Sequence, residues 1–175
     1  MLEGELTQFH REAMMAICKA AQIAMKSSDA GGVLLYVTDL MSDSQDLLDF
    51  ACELAERHGA RLELLHVIDP EQTPSMPDAQ MDNQYRLETL ACSLQSPKME
   101  TRAVLLFGDP EDVIWKRAVD IKAKLIALPS NGSATERAWK ALARRLKRKC
   151  VCPVLSFSHF SVRRMRSDPL QWMLH

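Results

Sequence analysis

The residues best suited to chemistry lie in LPSNGSATERAWKA, residues 128–141, where small hydroxyl residues and one glycine precede a predicted helix. Backbone N–H groups of such a turn, together with the amino end of the helix, favour phosphate oxygens. Ser130, Gly132 and Ser133 are therefore the candidate phosphate-binding residues. The same residues also suit an ordinary turn in which the serines cap the helix, so the stretch alone leaves both interpretations open.

Nothing else in the sequence forms a catalytic pattern. The motifs GxSxG, HExxH and GxxxxGKS/T are missing, and the five histidines are scattered. The five cysteines are odd in number and contain no CxxC pair, which is typical of a reducing cytoplasm. Cys150 and Cys152 have no second Cys/His pair to complete a zinc site, so we interpret them as packing residues. We expect no catalytic residue, no metal and no enzyme activity.

Length and charge indicate a single-domain protein without a strong electrostatic preference. The chain has 175 residues and a formal net charge of -1, so no overall field draws it to nucleic acid. Residues 39–90 carry twelve acidic and three basic residues, whereas residues 91–175 carry seven acidic and sixteen basic ones. This asymmetry fits either solvated helix faces or a surface for a partner. Charged residues interrupt every apolar run near the amino terminus, which argues against a signal peptide or a membrane span.

Five apolar segments have the pattern of parallel strands that alternate with helices. GGVLLYVTDL has the continuous apolar run of a strand buried on both faces, and RLELLHVID, METRAVLLF, KLIAL and PVLSF follow it. Helices are predicted between them, the third from Gly108-Asp109-Pro110 and the fourth over residues 134–149. Right-handed crossovers place these helices on both faces of the sheet. Ligands in such folds lie beyond the carboxyl ends of the strands.

Two further segments flank this pattern. Residues 5–26 contain no Gly or Pro and have apolar residues at helical spacing, which predicts a long helix with more than one covered face. The tail carries Leu170, Trp172, Met173 and Leu174. We expect an N-terminal helical extension over residues 1–30, an α/β domain over 31–158 and a C-terminal tail over 159–175. Both flanking segments are candidate surfaces for a protein partner.

Over about residues 32–157 the chain resembles the universal stress protein family. The resemblance lies in VLLYVTDLMSDSQDLLDFACELAERHGARLELLHVID, in GDPEDVIWKRAVDIKAKLIALPSNG and in CPVL. It implies an open five-stranded parallel sheet in the order 3-2-1-4-5 and a homodimer. In that family the last strand often pairs across the dimer interface, which here implies Val154, Leu155, Ser156 and Phe157.

The ATP-binding branch of the family has a loop of the form G-x-x-G, followed later by glycine with Ser or Thr. Gly132 matches the second glycine, but Pro129 replaces the first and loses its N–H. The later glycine is also missing, since Lys140 to Ala143 occupy that region. Asp39 and Val67 match the acidic and adenine-contacting positions. The loop is therefore degenerate and closer to the branch that does not bind ATP.

Three functional hypotheses follow. The first is a cytoplasmic, dimeric, non-catalytic regulatory protein of the stress response with an impaired nucleotide loop and no certain cofactor. The second is a switch that binds ATP or AMP through Asp39, Val67, Ser130, Gly132 and Ser133. The third is a nucleic-acid-associated protein that uses the basic face of the fourth helix. Because that face lacks interleaved aromatics, a solvated helix face is favoured over nucleic acid. Its members are Arg137, Lys140, Arg144, Lys147 and Arg148.

Overall fold

The computed structural model describes residues 31–41, 45–71, 77–129 and 134–157. The strands are β1 (Val33–Thr38), β2 (Arg61–Ile68), β3 (Thr101–Phe107), β4 (Ala123–Pro129) and β5 (Val154–Phe157). The helices are α1 (Gln45–Arg57), α2 (Pro77–Leu94), α3 (Pro110–Asp120) and α4 (Ala134–Lys149). The predicted N-terminal helix and the tail lie outside the described residues, so the division at residues 30 and 158 stays a prediction.

The five strands form one parallel sheet in the order β3-β2-β1-β4-β5. This confirms both the five-stranded α/β prediction and the strand order implied by the resemblance. β1 lies at the centre, and all six of its residues are buried. Its continuous apolar run is what a strand covered by helices on both faces requires.

Two hydrophobic cores cover the two faces of the sheet. Leu34 and Tyr36 of β1 pack with α1 and α2, and their neighbours Leu35 and Val37 pack with α3 and α4. This alternation follows from the two-residue period of a strand. The helices therefore lie on both faces of the sheet, as predicted.

The start of α3 has the predicted capping arrangement. Gly108 has a φ of 133°, which a side chain would strain. The Asp109 carboxylate then accepts a hydrogen bond from the backbone N–H of Asp112 at 3.0 Å, and Pro110 occupies the first turn. These residues turn the chain sharply at the carboxyl end of β3.

An ion pair that includes a buried carboxylate attaches α3 to the sheet. Glu63 of β2 is only 1% exposed, and Arg117 of α3 donates Nε–H to its Oε1 at 2.6 Å and a second N–H to its Oε2 at 2.8 Å. The hydrogen bonds to Glu63 raise the pKa of Arg117. Two parallel bonds fix both the distance and the rotation of the helix relative to β2.

Candidate functional site

The carboxyl ends of β1 and β2 bring two predicted site residues to one edge of the sheet. Thr38 pairs with His66 in the parallel register, and Asp39 and Val67 are the residues that follow them. Asp39 and Val67 are both half-buried. The structure therefore places these two candidates at the ends of adjacent strands, where ligands of this fold class lie.

The loop after β1 uses the side chains of its own first residues. Leu40 has a φ of 62°, and its N–H donates to Thr38 Oγ1 at 2.8 Å. The N–H of Met41 donates to Asp39 Oδ1 at 2.9 Å. These bonds hold a non-glycine residue in the left-handed region, which costs about 1 kcal/mol or more. Asp39 therefore stabilises its own loop, the structural role that an Asp at such a turn commonly has.

His66 joins the ends of the two strands. Its Nδ1 lies 2.8 Å from the carbonyl oxygen of Thr38, which can only accept a hydrogen bond. Nδ1 therefore carries a hydrogen and donates it to this carbonyl oxygen. This bond gives His66 a structural role at the edge of the site. The bond spans 28 residues, so no local motif predicts it.

Three carboxylates lie just after the carboxyl ends of the strands, a side of the sheet that we call the carboxyl edge, and all three make the same kind of hydrogen bond. Asp39, Asp69 and Asp109 follow the first three strands, and each accepts a hydrogen bond from a backbone amide two or three residues later. Among the described residues, no group of three or more His, Cys, Asp or Glu side chains is placed to hold a metal ion.

The fourth strand ends at the position of the first loop glycine. Pro129 is the last residue of β4 and pairs with Phe157 of β5. Its backbone is therefore extended, and proline has no N–H to offer a phosphate. The remaining candidates Ser130, Gly132 and Ser133 lie outside the described residues.

Val154 and Leu155, two of the residues predicted at the dimer interface, pack their side chains inside their own protomer. Val154 is 3% exposed and Leu155 5% exposed, and they belong to the two opposite cores. Ser156 is half-buried, and Phe157 pairs with Pro129. β5 nevertheless forms an outer edge of the described sheet, so its backbone is the part available for pairing.

The two faces of α4 separate as predicted. Leu142, Ala143 and Leu146 are buried against the sheet, and Trp139 packs beside them. The basic face is exposed to solvent; its members are Arg137, Lys140, Arg144, Lys147 and Arg148. No helix of the described residues is long and apolar enough to cross a membrane.

Cys150 and Cys152 pack against the core that α3 and α4 share, as predicted. Burial, with a smaller effect of Cys150, raises the pKa of Cys152 to about 11. Burial also raises the pKa of Cys150. Both side chains are therefore neutral thiols at physiological pH, which suits packing rather than nucleophilic chemistry.

Comparison with known proteins agrees with this architecture. Residues 32–157 match the model of the universal stress protein family. A universal stress protein from Archaeoglobus fulgidus in complex with dAMP is 20% identical, with a TM-score of 0.57 over 73% of this chain and 98% of its own. Another, in complex with cAMP, is 18% identical, with a TM-score of 0.53 over 74% and 98%. A family protein from Burkholderia pseudomallei is 27% identical, with a TM-score of 0.50 over 72% and 95%. No protein of curated function matches the chain.

Proposed function

The chain belongs to the universal stress protein family, and from this premise we propose that it is a non-catalytic regulatory protein of the stress response. It acts in the cytoplasm as a homodimer and through protein partners, with an impaired nucleotide loop. The match, over residues 32–157, covers all five strands and four helices of the described structure.

The observation that carries the proposal is the place of Pro129. A phosphate loop needs backbone N–H groups that approach the anion closely, and glycine supplies both the N–H and the freedom of φ. Here the corresponding residue is a proline whose backbone pairs with β5 in the sheet. Moving it to face a phosphate would cost part of the pairing between β4 and β5.

Hydrogen bonding at the carboxyl edge supports the same conclusion. Asp39, Asp69 and Asp109 lie on three neighbouring loops and accept amide hydrogen bonds there. The amides of Met41, Glu71 and Asp112 are therefore already bonded within their own loops and are not free donors for a phosphate.

A second function, an ATP- or AMP-binding switch, is favoured by the two candidate residues at the ends of β1 and β2. Asp39 and Val67 lie at adjacent strand ends, in the positions that bind the nucleoside in nucleotide-binding members of the family. Two structures that share this fold contain dAMP and cAMP. In this alternative the nucleoside contacts persist, and Ser130, Gly132 and Ser133 hold the phosphate.

Thermal unfolding with and without nucleotide separates the two functions. The native chain and a Gly132→Val variant are each heated in buffer, with millimolar AMP, and with millimolar ATP and magnesium. We expect the midpoint of the native chain to stay unchanged, because an impaired loop gives no binding energy. A ligand at a hundredfold excess over its Kd would instead add about 2.7 kcal/mol to the stability.

The variant shows which residues cause a shift. A rise of the midpoint in the native chain that disappears in Gly132→Val would contradict the impaired loop and favour the switch. A rise that is equal in both proteins would mean that nucleotide binds without the loop, which also contradicts the first function. Midpoints that nucleotide leaves unchanged in both proteins support the first function.

A further inference from the structure

An apolar depression of about 490 Å³ lies at the amino ends of β4 and β5, on the edge of the sheet opposite the candidate nucleotide site. It is bounded by the end of α3 and by the segment that leads into β5. Its apolar lining includes Trp115, Ala118, Val119, Val151, Cys152 and Pro153. We call this surface the amino-edge depression.

Two of its apolar side chains are exposed to solvent in the described structure. Val151 is fully exposed and Val119 is 55% exposed. Single exposed aliphatic residues are ordinary, but two that border one apolar depression form a continuous surface. Apolar surfaces of this kind commonly mark a contact with another segment or protein.

The N-terminal segment meets the described domain beside this surface. β1 begins at Val33, which pairs with Ala123, and Ala123 lines the depression. Gly32 lies against Lys124, another lining residue, because a Cβ at Gly32 would be only 2.6 Å from Lys124 Cγ. Residues 1–30 therefore leave the domain at the rim of the depression.

The C-terminal tail leaves from the opposite edge. It follows Phe157, at the carboxyl end of β5, whereas the depression lies before the amino end of that strand. The four residues of β5 separate the two points by about 13 Å. Position along the sheet therefore favours the N-terminal segment as the occupant.

Length and pattern also suit the N-terminal segment. Residues 5–26 are predicted to form a helix of about 33 Å, and residues 27–31 connect it to Gly32 with a reach of about 17 Å. The end of this helix carries Ile17, Ala20, Ile23 and Ala24. A short tether gives such a segment an effective local concentration on the order of millimolar, which favours it over a free partner.

We propose that the helix predicted over residues 5–26 packs its apolar side on the amino-edge depression of its own chain. This contact covers Val119 and Val151 and gives the apolar residues of the helix a place to be buried. It is independent of whether a nucleotide binds at the other edge of the sheet.

Hydrogen exchange of the full chain tests the proposal. Backbone amides of residues 13–26 are followed by mass spectrometry in the native chain and in a Val119→Lys/Val151→Lys double variant. Because both valines are exposed in the described domain, their replacement should leave the α/β fold intact. We expect exchange of residues 13–26 to become faster by roughly tenfold or more in the variant, since charges replace the apolar contact.

Two matched variants complete the design. Met81→Lys introduces the same charge at a residue that is 73% exposed on α2, and it should leave residues 13–26 unchanged. Ile17→Lys changes the segment instead of the surface, and it should speed exchange at residues 150–153 as well as at residues 13–26. Trp172→Lys in the tail should change neither region.

Several results would overturn the proposal. One is that the amides of residues 13–26 exchange without protection in the native chain. Another is that they exchange at the same rate in the native chain and the double variant. A third is that Met81→Lys loses as much protection at these residues as the double variant does. Faster exchange of residues 150–153 in Trp172→Lys would make the tail the occupant. Protection of residues 13–26 that falls when the protein is diluted would make a second copy the occupant.

Discussion

Asp39 shows how one residue type serves two roles at a strand end. In this chain its carboxylate accepts the amide of Met41, and the loop it forms holds Leu40 at a φ of 62°. The resemblance gives the same position a role in nucleotide binding. Because the loop needs this Asp whether or not a ligand is bound, its presence alone does not indicate ATP binding.

Sequence reasoning identified the residues of the carboxyl edge but not their connections. Asp39 and Val67 follow from the strand pattern and the family resemblance, whereas the bond from His66 to Thr38 depends on the register of two strands. The pair of Glu63 and Arg117 spans 54 residues, and a single charge in a strand does not reveal its partner. Contacts of this kind depend on tertiary packing, which a local pattern does not contain.

The ion pair between Arg117 and the buried Glu63 supports a prediction on stability. We expect Arg117→Met to lower the free energy of unfolding by about 3 kcal/mol, because Glu63 would stay buried without its partner. Urea unfolding of the native and variant proteins measures the difference. The double variant Glu63→Leu/Arg117→Met should recover most of the loss, since no buried charge remains.

An exposed pair provides the control. Arg102 lies 2.7 Å from Glu100 with both side chains more than half exposed, so Arg102→Ala should cost less than about 1 kcal/mol. Equal losses in Arg102→Ala and Arg117→Met would show that the burial of Glu63 adds nothing to the stabilisation by its ion pair.

At the scale of elements, the strands were easier to predict than the ends of the helices. The apolar run of β1 requires cover on both faces, and the structure has that arrangement. The second helix, α2, begins in the structure at Pro77 and ends at Leu94. Its start was harder to place because the preceding stretch has several prolines and polar residues that fit either a loop or a first helical turn.

The end of α3 contains a strained residue that can be improved. Lys122 follows the helix with a φ of 50°, and its N–H donates to the carbonyl of Val119 at 3.1 Å. This position after a helix favours glycine, and the Lys122 side chain is exposed. We expect Lys122→Gly to raise the free energy of unfolding by about 0.5–1 kcal/mol, as measured by urea unfolding.

Lys122→Ala separates strain from the loss of the lysine side chain. Alanine keeps the Cβ and therefore the strain, so this variant should not gain stability. A gain in Lys122→Ala equal to that in Lys122→Gly would show that removal of the charge, rather than the backbone conformation, is the cause.

At the scale of the whole molecule, the proposed homodimer depends on which backbone N–H and C=O groups of β5 point away from β4. A strand bonds to one neighbour through every second residue, and the Pro153 carbonyl accepts the N–H of Ile126 in β4 at 3.0 Å. Val154 and Ser156 therefore turn their N–H and C=O groups away from β4. These groups can pair with the same groups of a second copy around a two-fold axis.

Ser156→Pro tests this interface without disturbing β4. Proline removes the outward N–H, which an edge strand tolerates but a pairing partner requires. We expect the native chain to be a dimer by light scattering and Ser156→Pro to be a monomer, with Ser156→Ala remaining dimeric. A monomeric native chain, or a Ser156→Pro variant that is still a dimer, would contradict pairing through β5.

The central position of β1 also determines how long this strand lacks a neighbour while the chain is being synthesised. Val33 pairs with Ala123, which the ribosome adds 90 residues later (123 − 33), while Arg61 on the other side of β1 comes after only 28 (61 − 33). At cellular rates of synthesis, the β4 side of β1 thus waits roughly 5–20 s for its partner. During that time the most apolar strand of the nascent chain has an open edge, which is the kind of segment that chaperones bind and that aggregates first.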